Sequence, residues 1–429
     1  MSRKDISKKL FQGDVSVWII FLLLCCFSII EAFSATSTLA YKQANIFIPI
    51  AYHTSFLVSG FILIFVLSHA HYKFFSLGIL LIPISIILLS LTFRYGISDN
   101  EAIRRLIFFG IPLQPSEYGK LACIIYVAFL LSKREKLTDK RTVKYICIGV
   151  GTVCLLILPS NLSTTVLLGT VCFLMMFIGQ IPLKLLGQLL FGIFIAGLLS
   201  VLLLLVIPTD VTRQYFPRFV TWKNRIQTHV AYKSSDSQQD NNTFRITNEN
   251  YQIAHSKIAI ARGGVFGKMP GQSVQRDFLP QAYSDFIYAI IIEELGVAGG
   301  IVVLLLYLML MLRVSIIARR CEKLFPKYLV LGCGLLIVLQ ALVHMAITVG
   351  LFPVSGLPLP LISIGGNSIL ITCIYFGFIL SVSHFGANMS ADEEDKEESE
   401  DGELENDWEN EEYPEENLNL AAEMTETEA

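Results

Sequence analysis

Charge is scarce in this chain, and what there is lies unevenly. Only 16% of its 429 residues are Asp, Glu, Lys or Arg, against 53% hydrophobic, with a mean hydropathy of +0.59. A soluble globular domain carries about a quarter of its residues as charges, so that class is excluded. Repeated apolar runs long enough to cross a bilayer predict a polytopic helical membrane protein instead. A disulfide framework and zinc spacing are both missing. All nine cysteines (Cys25, Cys26, Cys123, Cys147, Cys154, Cys172, Cys321, Cys333 and Cys373) sit in or beside apolar runs and read as small apolar fillers. Seven histidines are scattered without metal-ligand spacing, and no internal repeat is obvious. Arg3, Lys4, Lys8 and Lys9 open the chain, but no short apolar region ending in a small-residue cleavage site follows, which argues against a cleavable signal.

The formal net charge of -3 hides an asymmetry. Nineteen of the 36 acidic residues fall between Asp392 and Glu428 with a single base, Lys396, so the rest of the chain holds 32 bases against 17 acids. A basic membrane body suits retention of positive loops inside the cell, and equally an anionic, phosphate-bearing substrate. The acidic stretch 388–429 has little apolar content beyond Leu404, Trp408, Leu418 and Leu420. It reads as a solvated, disordered cytoplasmic tail, with Trp408 and Leu418 to Leu420 as the alternative anchor for a partner.

Ten spans are expected, near residues 15–33, 46–68, 74–93, 119–131, 145–158, 165–180, 185–207, 286–312, 329–349 and 367–382. The fifth and sixth meet at Pro159-Ser160-Asn161 and also read as one broken helix, which would leave nine. Loop charge favours ten. Lys133, Arg134, Lys136, Lys140, Arg141 and Lys144, the set Arg313, Arg319, Arg320, Lys323 and Lys327, and the basic segment 1–14 then all face the cytoplasm. The fold expected is an all-α polytopic membrane protein. Its transmembrane domain covers 15–387, and a large extracytoplasmic loop, 208–284, separates helices 7 and 8. That loop is long enough to be functional. Its 251–261 stretch has helical character, and Gly263, Gly264, Gly267 and Gly271 allow the chain to turn back sharply toward the membrane surface.

Several polar residues need a reason to sit in or beside apolar runs. Asp285 stands where the polar loop enters the eighth span. A carboxylate there reaches both a lipid-borne substrate and water, as a general base must; alternatively Ser284 or Asp285 caps the helix. In Gln114-Pro115-Ser116-Glu117, Pro115 fits a helix start, Glu117 falls in the first turn, and Lys120 lies one turn on. Those two pair at i,i+3, or Lys120 joins Arg104 and Arg105 in presenting positive charge to a pyrophosphate. Glu293 and Glu294 lie roughly 12–14 Å deeper along the helix than Asp285; a buried structural pair fits that depth better than catalysis. Pro353, Pro358 and Pro360, with Ser355, Ser363 and Asn367, mark non-helical backbone that must line protein or a cavity. His344, within a span, reads as packed.

Five ordered blocks resemble a known family. Arg104-Arg105 followed by Gln114-Pro115-Ser116-Glu117 and Lys120 resembles the RxW…QPSE..K segment of the SEDS proteins (shape, elongation, division and sporulation). Residues 159–165 are similar to the QPDxGT segment. Tyr251-Gln252, Ser256 and 261–267 resemble YQ…S…GG..G. Residues 279–286 with Glu293-Glu294-Leu295-Gly296 resemble LPE.HTDFIF…EELG, and 356–368 resembles GLPLPFISYGGSS. The likeness runs from about residue 15 to 385, and the length, the segment 33–37 and the tail are more like the division members than the elongation members. The family Trp is absent, Asn161 stands where Asp is common, and Gln281, Tyr283 and Ser284 replace Glu, His and Thr; Asp285 is in place.

The resemblance implies a peptidoglycan glycosyltransferase of the bacterial cytoplasmic membrane, acting at the division septum. It would polymerise lipid II onto a lipid-linked glycan strand with inversion and release of undecaprenyl pyrophosphate. Asp285 maps onto the catalytic aspartate. Arg104, Glu117, Lys120, Arg262 and Ser363 are the expected substrate-binding residues, and a divalent cation, magnesium or manganese, is a candidate cofactor although no dedicated ligand set is visible. Expected partners are a class B penicillin-binding protein transpeptidase and other division proteins, with no nucleic acid. A lipid II transporter and a non-catalytic division scaffold are the competing readings.

Overall fold

The computed structural model describes residues 11–35, 47–99, 102–108, 111–206 and 250–386. Most of the expected N-terminal segment, the loop residues 207–249 and the tail 388–429 with Trp408 lie outside the described residues.

Helices dominate. α1 (Val15–Ala35) begins under Asp14, whose carboxylate accepts from Ser16 N at 2.7 Å and Val17 N at 3.3 Å, closing two amides that a helix start leaves open. α2 (Phe47–His69) follows, then a 3₁₀ turn (Tyr72–Leu80) that runs directly into α3 (Leu81–Tyr95). α4 (Pro115–Ser132) has its proline at the first helical position, where the missing N–H removes no bond. α5 (Asp139–Ile157) and α6 (Leu162–Ile178) are separate helices. Pro159 and Ser160 form the turn between them, and Asn161 caps α6 by accepting from Thr164 N at 3.2 Å. Then come α7 (Leu183–Val206), α8 (Tyr251–Gly263), α9 (Ile287–Arg320), α10 (Leu324–Thr348) and α11 (Gly366–Gly386).

Among the described residues, six helical stretches are long and apolar enough to cross a membrane: Val15–Ser34, Ile50–His69, Tyr72–Thr92, Ile287–Arg320, Leu324–Thr348 and Gly366–Gly386. Leu162–Ile178 and Leu183–Leu199 are apolar but shorter. α9 runs eight residues past its expected end, through Arg313, Arg319 and Arg320. Nothing between Leu312 and Arg320 breaks a helix, and Arg313 approaches Asp14 at 3.8 Å.

α4 and α10 form the centre. α10 packs against α4, α6 and α9, and α4 buries Leu121, Ile124, Ile125 and Leu131 in the same core. α7 is the opposite case: Leu190, Phe191, Ile193, Phe194, Leu198 and Leu199 all stand exposed, as on a helix whose outer face meets lipid.

A three-stranded antiparallel sheet departs from the all-α expectation. β1 (Ile97–Asp99), β2 (Ala102–Phe108) and β3 (Ile111–Leu113) link α3 to α4, with Ile97 opposite Arg105 and Leu106 opposite Leu113. The run Ala102–Phe108 is too short to span, and its Ile103, Ile107 and Phe108 suit a strand. The Asn367 amide donates to Pro112 O, tying β3 to the first turn of α11.

One end of the bundle gathers the chain's basic junctions. Arg134 donates to Gly179 O at 2.7 Å, Phe129 meets Phe325, and Gly386 lies with Arg320, Cys321 and Lys323 around one small cavity. Gly13 packs on Leu380 at this same end.

Candidate active site

Asp285 sits on a tight turn just before α9. Ser284 N and Asp285 N both donate to Gln281 O at 3.0 Å, and Gln281 takes a left-handed φ of 58° to permit it. Phe286, 1% exposed, anchors the turn in a small apolar cluster with Leu279, Ala282 and Ile290. Asp285 itself is half-buried, and Ser284 Oγ donates to its Oδ1 at 3.1 Å. The cap position of α9 is Phe286, not the Ser284 or Asp285 of the capping alternative, and Phe286 makes no side-chain capping bond. The chain reaches the helix start through a turn closed by its own backbone.

The turn leans on the proline-rich segment between α10 and α11. Ser363 Oγ donates to Ser284 O at 2.7 Å, and Ile364 N donates to Tyr283 O at 3.0 Å. Ser363 is 2% exposed, and its hydroxyl also accepts from Leu359 N at 2.7 Å. The expected substrate-binding role thus falls on a hydroxyl already engaged by two backbone groups.

Glu117 and Lys120 form the i,i+3 pair at 2.9 Å with both side chains shut off from solvent. Lys120 Nζ also donates to Gln340 Oε1 at 2.9 Å, and Gln340 Nε2 donates to Pro358 O at 2.9 Å. Lys120 is therefore linked, through Gln340, to the segment that holds the Asp285 turn. Arg104 belongs to β2, and its side chain lies outside what is described.

Glu293 and Glu294, both 0% exposed, hold the returning loop. Glu293 accepts from Ser273 Oγ at 2.5 Å, Gln275 N at 3.1 Å and Val274 N at 3.3 Å. Glu294 accepts from Gly271 N at 3.0 Å, Ser273 N at 3.2 Å and the Ser34 hydroxyl of α1. Arg262, 39% exposed, reaches Glu293 only at 3.7 Å. Arg276 closes the arrangement by donating to Ser34 O at 3.0 Å. Gly267 and Gly296, at φ 77° and 72°, let the loop backbone press directly on a kink in α9; a β-carbon on either would strike backbone of the other segment. Further along, His255 bonds Gln275 Oε1 at 2.7 Å and stacks on Phe278, so α8 supports the approach to Asp285.

Gln340, Ser34, Ser273 and Gln275 escaped the reading of the sequence. Gln340 carried a usable signal, since an amide inside an apolar span demands a partner. Among the described residues no group of three or more His, Cys, Asp or Glu side chains could hold a metal ion.

The family model that unites the FtsW, RodA and SpoVE cell cycle proteins matches residues 14–388. The probable peptidoglycan glycosyltransferase FtsW of Geobacter metallireducens is 29% identical over 88% of this chain and 96% of its own length. That of Taylorella equigenitalis is 32% identical over 70% and 78%. Among solved structures, a chain from a peptidoglycan synthase complex that coordinates polymerization and crosslinking superposes with a TM-score of 0.63 at 20% identity, covering 87% of this chain and 98% of that one. The Rod shape determining protein RodA of Thermus thermophilus gives 0.58 at 20% identity, covering 86% and 96%. These two likenesses establish the fold.

Proposed function

This chain belongs to the FtsW, RodA and SpoVE family of cell cycle proteins, and we propose that it is a peptidoglycan glycosyltransferase that polymerises lipid II for the division septum. The observation that carries the reading is Asp285: a half-buried carboxylate on a backbone-closed turn just before α9. In the proposed step, Asp285 takes the proton from an acceptor sugar hydroxyl. The hydroxyl oxygen bonds to the anomeric carbon of the lipid-linked donor as the bond from that carbon to the pyrophosphate oxygen breaks. Undecaprenyl pyrophosphate leaves with the bonding pair, and the configuration inverts.

Positive charge is needed where the pyrophosphate develops. Arg262 suits this best, because its contact with Glu293 is long and more than a third of its side chain meets solvent. Lys120 is held by Glu117 and Gln340 and contributes through that fixed pair. Arg104 sits on the strand that leads to α4.

In the membrane we assign ten crossings: the six long apolar stretches together with α4, α5, α6 and α7. Both termini and the basic junctions then face the cytoplasm, in keeping with the gathering of those junctions at one end. Residues 208–284 and Asp285 face outward, toward lipid-linked substrate, and a class B penicillin-binding protein transpeptidase is the partner that crosslinks the product. The tail 388–429 lies inside.

The test is labelled lipid II supplied to the purified full chain with its transpeptidase partner, native against Asp285→Ala. Glycan ladders that vanish in the variant support the reading. Ladders that persist unchanged remove Asp285 as base, and lipid crossing vesicle walls without ladders makes the chain a transporter.

A further inference from the structure

We propose that Ser363 is a positioning residue for Asp285, acting through the carbonyl of Ser284, and that Gln340 carries the same constraint to Lys120. The proposal rests on the reading of Asp285 as the base. Residues 357–363 cross the buried body without helix or strand, so their carbonyls need partners from elsewhere. They have them. His344 Nδ1 donates to Leu357 O at 2.7 Å, Gln340 Nε2 to Pro358 O at 2.9 Å, Tyr307 Oη to Pro360 O at 2.5 Å and Ser28 Oγ to Leu361 O at 2.8 Å. Three helices, α1, α9 and α10, thus fix one short segment.

That rigid segment offers the Asp285 turn two bonds, Ser363 Oγ to Ser284 O and Ile364 N to Tyr283 O. The backbone on both sides of this contact is strained in the same way. Gln281 at φ 58° and Leu361 at φ 64° are left-handed without being glycine, a state that persists only where the surroundings over-determine it. The Ser363 hydroxyl is the one side-chain bond among the two. Without it the Ser284 carbonyl is released to rotate, and the carboxylate one residue on loses its bearing. A reacting group displaced by about 1 Å loses on the order of 10²-fold in rate.

The measurement is steady-state polymerisation of lipid II by the full chain with its transpeptidase partner, comparing Ser363→Thr with Ser363→Val. Both add the same bulk, and only threonine keeps the hydroxyl. The expected result is a kcat for the valine variant roughly 10- to 100-fold below that of the threonine variant, at unchanged KM. Gln340→Glu keeps the acceptor for Lys120 but removes the donor to Pro358 O, and lowers kcat in the same direction. Should valine not fold, Ser363→Ala removes the hydroxyl without adding volume and carries the same expectation. Equal kcat values for Thr and Val overturn the proposal, as does a rise in KM with kcat intact, which would make Ser363 a substrate contact. Asp285→Asn in the same assay separates the two ideas. If it stays active, the base assignment fails; if it is inactive while Thr and Val match, only the positioning role fails.

Discussion

Lys120 and Glu117 meet at 2.9 Å, one turn apart at the start of α4, with neither side chain open to solvent. Breaking such a pair from one side leaves an uncompensated buried charge, which costs about 3–5 kcal/mol, whereas removing both charges together costs far less. Lys120→Met alone and Glu117→Gln alone should each lower the thermal midpoint steeply. The double variant should recover a large part of the loss. Thermal unfolding of the four proteins in one detergent checks this.

The two glutamates of α9 should act as loop anchors. Each accepts two backbone N–H groups and one serine hydroxyl from a separate segment. Hydrogen bonds to a charged acceptor contribute about 1.5–3 kcal/mol. Glu293→Ala should speed amide exchange at Val274 and Gln275, and Glu294→Ala at Gly271 and Ser273, with each set far less affected by the other change. Exchange measured peptide by peptide across residues 268–280 reads this out.

Three glycines with positive φ should respond unequally to alanine. Gly271, at φ 84°, has nothing within 4 Å of a β-carbon, so Gly271→Ala costs only the backbone strain, about 1–2 kcal/mol. Gly267→Ala and Gly296→Ala meet backbone atoms as well and should destabilise further, with the loop lifting from α9. Chemical denaturation at constant lipid-to-detergent ratio ranks the three.

Much of this architecture was legible because periodicity and charge are local. The turn at Pro159 and Ser160, the helical character of 251–261 and the Glu117–Lys120 pair all follow from spacing along one stretch of chain, and the burial of Glu293 and Glu294 from their depth in an apolar run. The extension of α9 through Arg320 was hidden because arginine ends an apolar run without ending a helix. The strands over 97–113 are too short to announce themselves. What holds the site was the least readable part. Lys120 finds Gln340, Ser34 finds Glu294 and Ser363 finds Ser284 across dozens to hundreds of residues, and no period in the sequence encodes such meetings. The turn that carries Asp285 was hidden for a related reason: it is closed by Gln281 O, a backbone group that composition cannot see.

Turnover of lipid II by Asp285→Asn, set against the unaltered chain, tests the central claim most directly. Asparagine keeps the size and loses the ability to take up a proton. The account predicts a kcat lower by about 10²- to 10⁴-fold, the range a positioned general base supplies, with binding of lipid II retained. A variant that polymerises within a few-fold of the native rate would contradict it.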